Sequence, residues 1–290
     1  MAFDNPRGPF GRPRVKTLLI RALALAVVMA GSACASGSRR PPVGTPDPDK
    51  FLFERGTEEL NDKDWFTARE YFSQLVDSYP QSEHRGDAKL GIGDTYLGEG
   101  TSESFVLAIN EFREFLQFYP THRRAYYAQY KLAMSHFYQM RDPMRDQTET
   151  IEAIRELTTF VERYPNSPLI QEGRARLREA RDRLGEHELG VAIHYHRVKF
   201  WPATIERIKP LLERDPQFTR RDAALYYLAD SYEKIGRPAE ALPHFERLVK
   251  EFETSEFLER AQARVEALRA AMDKNTDGKA GQTSGVQLKR

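Results

Sequence analysis

Apolar side chains recur through the middle of this chain at offsets that a helix gathers onto one face. Three Tyr-Pro pairs, Tyr79-Pro80, Tyr119-Pro120 and Tyr164-Pro165, give a common origin. Twelve residues before each proline stand Ala68, Ala108 and Ala153, and eight before stand Phe72, Phe112 and Leu157. Five before are Leu75, Phe115 and Phe160; four before are Val76, Leu116 and Val161. A period of 3.6 residues puts these positions on one face. Proline disfavours helical geometry in the residue before it, so each helix stops there. Two weaker copies follow: Thr204, Ile208, Leu211 and Leu212 before Pro216, then Ala241, Phe245, Leu248 and Val249 before Glu253. In the restarts, Ser82 and Ser167 are positioned to cap the next helix, with Pro168 at its first position. The stretch from Ser167 to Lys199 reads as one long helix despite Gly185 and Gly190, and Pro210 should kink the helix that contains it.

Internal repetition of this kind decides the fold class. A small residue, then alanine, an aromatic and proline resemble the positions of the tetratricopeptide repeat, with Gly56, Ala68, Phe72 and Pro80 in the first unit. Ala229, Ala241 and Phe245 fit the fifth. The expectation is an all-α tetratricopeptide-repeat solenoid over residues 51–272, about five helix pairs closed by a C-terminal capping helix. Its units average about 44 residues against the usual 34, so helices or connections are extended. The polar, aperiodic stretch 273–290 is expected to be disordered.

The front of the chain has another pattern. Arg7, Arg12, Arg14, Lys16 and Arg21 precede a short apolar run, Ala22 to Ala30, and a small-residue exit, Gly31-Ser32-Ala33. A run this short cannot cross a bilayer, which needs about 20 apolar residues, so residues 1–33 read as a cleaved signal peptide. Immediately after it comes Cys34, the one cysteine in the chain. These residues resemble a bacterial lipobox. The resemblance implies S-diacylglycerol and N-acyl modification of Cys34, and Ala35 after it implies export to the outer membrane. Ordinary cleavage nearby is the alternative. Residues 34–50, rich in Pro, Gly and Ser, are a tether.

Composition adds exclusions. Lys plus Arg is 44 and Asp plus Glu is 43. Residues 1–33 hold five of the basic and one of the acidic residues, so the mature chain has net charge −3, which argues against nucleic acid as a partner. A single cysteine excludes an intrachain disulfide framework and Cys-rich metal sites. His187 and His194 share a helical face but are two turns apart, about 10.5 Å of rise, too far for one metal ion. Gly91-Ile92-Gly93 lacks the strand and third glycine of a dinucleotide loop and instead lets helices approach closely. No catalytic constellation is present, and no cofactor is expected beyond the lipid on Cys34. A stacked helical repeat offers a concave binding surface. Tyr127 and Tyr130 are candidates for an exposed peptide-binding platform there, the alternative being that they fill the inter-repeat core.

The whole chain, roughly Asp49 to Glu253, is similar to the BamD family of outer-membrane lipoproteins. The similarity rests on the lipoprotein start, the five repeats, Tyr119-Pro120-Thr121-His122, Arg141-Asp142, Arg145-Asp146-Gln147 and Tyr164-Pro165-Asn166-Ser167. Most specific is the tract from Ala180 to Ala192, followed by Trp201, Ala203 and Arg207. The resemblance implies a non-enzymatic assembly factor at the periplasmic face of the outer membrane. It would receive unfolded outer-membrane proteins in its N-terminal repeats and dock its C-terminal repeats on the POTRA region of BamA, beside other Bam lipoproteins. Arg207 matches the family's docking arginine; pairing with Glu206 or Glu213 is the other reading. The competing function is another envelope scaffold of the same repeat, in cell-wall coordination or as a pilus-secretin pilotin.

Overall fold

The computed structural model describes residues 41–283, with side chains through 274. The signal segment, Cys34 and the first part of the tether lie outside the described residues. Helices succeed one another in antiparallel pairs, and among the described residues there is no strand. The pairs are α1 (Pro48–Asn61) with α2 (Trp65–Ser78), α3 (Arg85–Glu99) with α4 (Ser102–Phe118), and α5 (Ala125–Phe137) with α6 (Thr148–Arg163). They continue with α7 (Ile170–Arg197) and α8 (Trp201–Arg214), then α9 (Arg221–Lys234) and α10 (Pro238–Glu251), and α11 (Leu258–Thr283) closes the stack. Five pairs and a cap are the solenoid that the periodicity predicts.

The stacking depends on rings seated against helices with no side chain in the way. Phe72 on α2 is fully buried between the first helices of two units; a Cβ on Gly56 would come within 2.7 Å of its ring, and one on Gly91 within 2.5 Å. Phe112 meets Gly93 in the same way, and Phe160 meets Gly173. The glycine pair Gly91 and Gly93 is therefore a close-approach device: Phe72 reaches Gly91 and Phe160 reaches Gly173 across to the next unit, whereas Phe112 meets the first helix of its own.

Helix α7 is the long exception. Its 28 residues span about 42 Å and serve two neighbours. Leu177 and Ala180 complete the core of the third unit, whereas Leu189 and Ala192 belong to the C-terminal core built by α8 to α11. Gly185 admits the ring of Phe218, and Gly190 admits Sδ of Met144. The loss of helix propensity at each glycine, about 1 kcal/mol, is offset by that packing. Pro210 and Pro243 lie inside α8 and α10 on exposed positions, and both helices run through them.

Three turns within units end alike. Lys63, Lys199 and Gly236 each adopt positive φ, at 64°, 62° and 78°. Each is bracketed by the paired backbone bonds of a Schellman cap, such as Phe200 N to Tyr195 O at 2.9 Å and Lys199 N to His196 O at 3.0 Å. Only glycine takes this conformation freely; a residue with a Cβ gives up about 1–2 kcal/mol.

Several boundaries differ from expectation. The serines do not sit at the N-cap: Ser82 Oγ accepts from His84 N and Ser167 Oγ from Leu169 N, while the helices begin at Arg85 and Ile170. The side chains stabilise the turn before the helix, which leaves Pro168 outside it. The tether ends earlier, with Pro48 at the first position of α1, where proline's missing N–H costs nothing. The expected disordered tail from Asp273 is corrected through Thr283, because α11 continues to that residue. No proline interrupts it, and extending an existing helix costs far less than nucleating one. Residues 284–290 lie outside the described residues.

Candidate functional site

Two clefts meet at Tyr138, one between α1, α2, α3 and α5 and the other between the start of α4, the α5–α6 loop and the start of α6. One, of about 430 Å³, lies between Trp65, Asp94, Leu97, Tyr127 and Lys131. The other, of about 520 Å³, is walled by Phe105, Arg141, Asp146 and Glu149. Tyr138 caps α5 just where the chain leaves the packed helix face, and it is 56% exposed. Phe105 stacks beside it, centroids 6.2 Å apart at 27°. The result is an aromatic ridge with polar groups on either side, suited to an extended peptide carrying an apolar or aromatic side chain.

The two tyrosines singled out from sequence have other work. Tyr130 is only 5% exposed, packs on Phe160 at 5.4 Å, and belongs to the third unit's core. Burial, then its bond to Glu172, pushes its hydroxyl pKa up. It is corrected from exposed platform to inter-repeat core. Tyr127 is half-buried; its hydroxyl donates to both carboxylate oxygens of Asp94 at 2.9 Å. Arg124 and Lys131 lie 4.4 and 5.2 Å from its ring centroid, so it forms a polar wall of the first cleft rather than a bare ring. Burial, followed by the neighbouring Asp94, raises the Tyr127 pKa, and burial also raises that of Asp94 against the pull of Lys131. A neutral hydroxyl therefore faces the cleft.

The two residues just before α5 are fixed from the preceding unit. Arg123 and Arg124 bond the two oxygens of Asp87 at 3.0 and 3.1 Å. Burial alone would raise Asp87, but these bonds outweigh it and hold the carboxyl below its ordinary range. Tyr138 is the residue that sequence periodicity missed. It lies one position past the helix, outside the apolar stripe, and its exposure depends on the turn that follows.

Arg207 lies on the exposed face of α8 and, among the described residues, makes no ion pair with Glu206, Glu213 or any other group. Self-pairing does not account for it. The histidines are dispersed: His136 Nδ1 contacts Glu149 at 2.7 Å, and His196 Nε2 contacts Asp230 at 2.7 Å. Among the described residues no three His, Cys, Asp or Glu side chains gather as a metal cradle, and no helix is long and apolar enough to cross a membrane.

Known proteins can now be set beside this geometry. Residues 226–282 match the tetratricopeptide-repeat model. Among solved structures, MamA is similar at 17% identity over 72% of this chain and 94% of that one, with TM-score 0.32. The TPR2AB domain of yeast Sti1, solved as its pHSP90 complex, is 10% identical with TM-score 0.41, covering 79% of this chain and 86% of its own. Relatives described as outer membrane protein assembly factor BamD are closer in sequence. The one from Caulobacter vibrioides is 30% identical, covering 80% of this chain and 73% of its own length. That of Haemophilus influenzae is 24% identical over 78% and 86%, and that of Neisseria meningitidis is 26% identical over 85% and 94%. Residues 46–244 match the YfiO model, described as outer membrane lipoprotein, and the chain belongs to this BamD family of outer-membrane assembly factors.

Proposed function

We propose that the chain is a lipid-anchored scaffold on the periplasmic face of the outer membrane, held by the acylated Cys34. In this reading its N-terminal units receive unfolded outer-membrane proteins, and its C-terminal units dock on the POTRA region of BamA, with other Bam lipoproteins as further partners. Nucleic acid has no part in it. The observation that carries the client side is the Tyr138 ridge where two clefts join. An extended segment lying across it would place an aromatic side chain against Phe105 and Tyr138 and its backbone amides near Asp146 and Glu149. Contacts of that kind are individually weak, which suits a client that must be handed on. On the docking side, the support is an exposed arginine that, among the described residues, makes no ion pair, at a position that resembles the family's docking arginine.

A photo-crosslinker at Tyr138 in membrane-bound protein should capture unfolded outer-membrane proteins, and charge reversal at Arg207 should release a large β-barrel with POTRA domains. Partners of cell-wall synthesis or of a secretin in its place would favour the competing scaffold. Cys34→Ser should release the protein from membranes; persistent pelleting would remove the lipid anchor.

A further inference from the structure

Exposed large hydrophobic side chains are unevenly distributed on this solenoid. Among the described residues all but Val43 and Phe118 lie in turns within units or near the start of second helices. One of those turns differs in charge. Between Ile193 and Ile205 the sequence has His194, His196, Arg197 and Lys199 and no carboxylate. Two acids packed on this hairpin are engaged: Asp230 holds His196, and Glu188 holds Arg214. Arg197 and Lys199 are exposed and, among the described residues, make no ion pair.

Between those cations stand Val198, 57% exposed, and Phe200, 56% exposed. Phe200 touches Tyr195 edge-on at 6.0 Å and gives the remainder of its ring to solvent. The centre, Lys199, is in the left-handed conformation, where the matching turn of the last unit has glycine. A lysine at a position that favours glycine, flanked by two exposed apolar residues, is a local rule broken without any gain inside the chain.

We propose that the α7–α8 turn, Arg197 to Phe200, is a docking element for a folded protein partner that presents carboxylates around an apolar spot. This deepens the docking assignment of Arg207 and rests on it: the same partner is meant. Arg207 lies on the same helical hairpin, about 9 Å of rise beyond Trp201. An apolar centre with a charged rim is the usual anatomy of a protein interface, and phenylalanine and arginine are effective anchors in it. The unpaired cations choose an acidic face over a basic one and quicken encounter with it.

The test uses full-length, lipidated protein extracted from outer membranes in mild detergent, with helicity and melting checked for each variant. The variants are Val198→Ser with Phe200→Ser, Arg197→Glu with Lys199→Glu, Lys199→Gly, Lys63→Gly and Arg207→Glu. Each double change at the turn should cut co-purification of the β-barrel partner about tenfold, in a folded protein. Lys199→Gly should raise the melting temperature while lowering co-purification roughly threefold. Lys63→Gly, the same cap in the first unit, should raise melting and leave the partner in place. If the turn variants retain the partner while Arg207→Glu loses it, the turn is not a docking element. If Arg207→Glu also retains it, the docking assignment itself falls. Retained partner with weakened pelleting on vesicles of anionic phospholipid would overturn the proposal in favour of a membrane contact.

Discussion

His187 donates from Nδ1 to the carbonyl oxygen of Pro143 at 2.6 Å, across 44 residues of chain. One turn away along α7, Arg183 donates to the carbonyl oxygen of Arg141 at 3.0 Å. The loop that receives them is braced by Gln147, whose amide donates to the carbonyl oxygens of Asp142 and Arg145. The contact joins the third unit's loop to the middle of the helix that carries the C-terminal units. It therefore fixes the register between the half proposed to hold clients and the half proposed to dock.

Replacing His187 with alanine should loosen that join without unfolding either half. A part-buried carbonyl loses its donor, at a cost of about 1 kcal/mol. Hydrogen exchange should rise in residues 139–147 and at the middle of α7, while α1 to α4 stay protected. Faster exchange throughout would mean that the contact supports global stability instead.

The glycines against the rings make a second prediction. Alanine at Gly173 would gain about 1 kcal/mol of helix propensity. Its Cβ would, however, stand 2.4 Å from a ring carbon of Phe160, which is fully buried and cannot retreat. Overpacking of that kind costs about 1–3 kcal/mol, so Gly173→Ala should be destabilising by about 1 kcal/mol. A urea midpoint at or above that of the parent protein would refute the account.

These same positions show what the sequence could reveal. Phe72, Phe112 and Phe160 were legible because helix stacking repeats, and repetition exposes the positions it constrains. Tyr130 was left open between core and platform for the opposite reason. Tyrosine suits either a core or a platform, and only the packing of Phe160 onto it decides between them. Tyr138 was passed over because it follows the last helical turn, where no periodicity applies. Arg207 was found through family resemblance; that it makes no ion pair among the described residues became visible only once Glu206 and Glu213 were in place. The cations at the α7–α8 turn were plain in composition, yet their freedom depends on Asp230 and Glu188 being taken by others.

Acid should act through Asp215. Burial alone would raise this carboxyl, but Arg178, donating to it from Nη1 at 2.9 Å, lowers it below the ordinary 3.8. A folded pKa below the unfolded one gives stability that is present above the unfolded value, about 3.9, and lost as pH falls through the folded value. Asp215→Asn should therefore be destabilised at pH 7, with the difference from the parent shrinking toward pH 3. Urea midpoints at the two pH values test this; a constant difference would mean that packing, rather than ionisation, carries the effect.

The client groove is tested by separating two tyrosines that stand on α5 and its cap. Tyr138→Ala removes an exposed ring and one wall of each cleft, so with the photo-crosslinker moved to Arg141 in the same cleft, crosslinking of unfolded outer-membrane proteins should fall about tenfold with little change in melting. Tyr130→Phe removes a buried hydroxyl bonded to Glu172 and should lower stability by about 1 kcal/mol while leaving crosslinking intact. Both rings come from α5 and its cap, so a general loosening of the unit would affect the two readouts together. Opposite responses would locate the client at the Tyr138 ridge. A loss of crosslinking with Tyr130→Phe but not with Tyr138→Ala would move the client away from the ridge and make packing of the third unit the requirement.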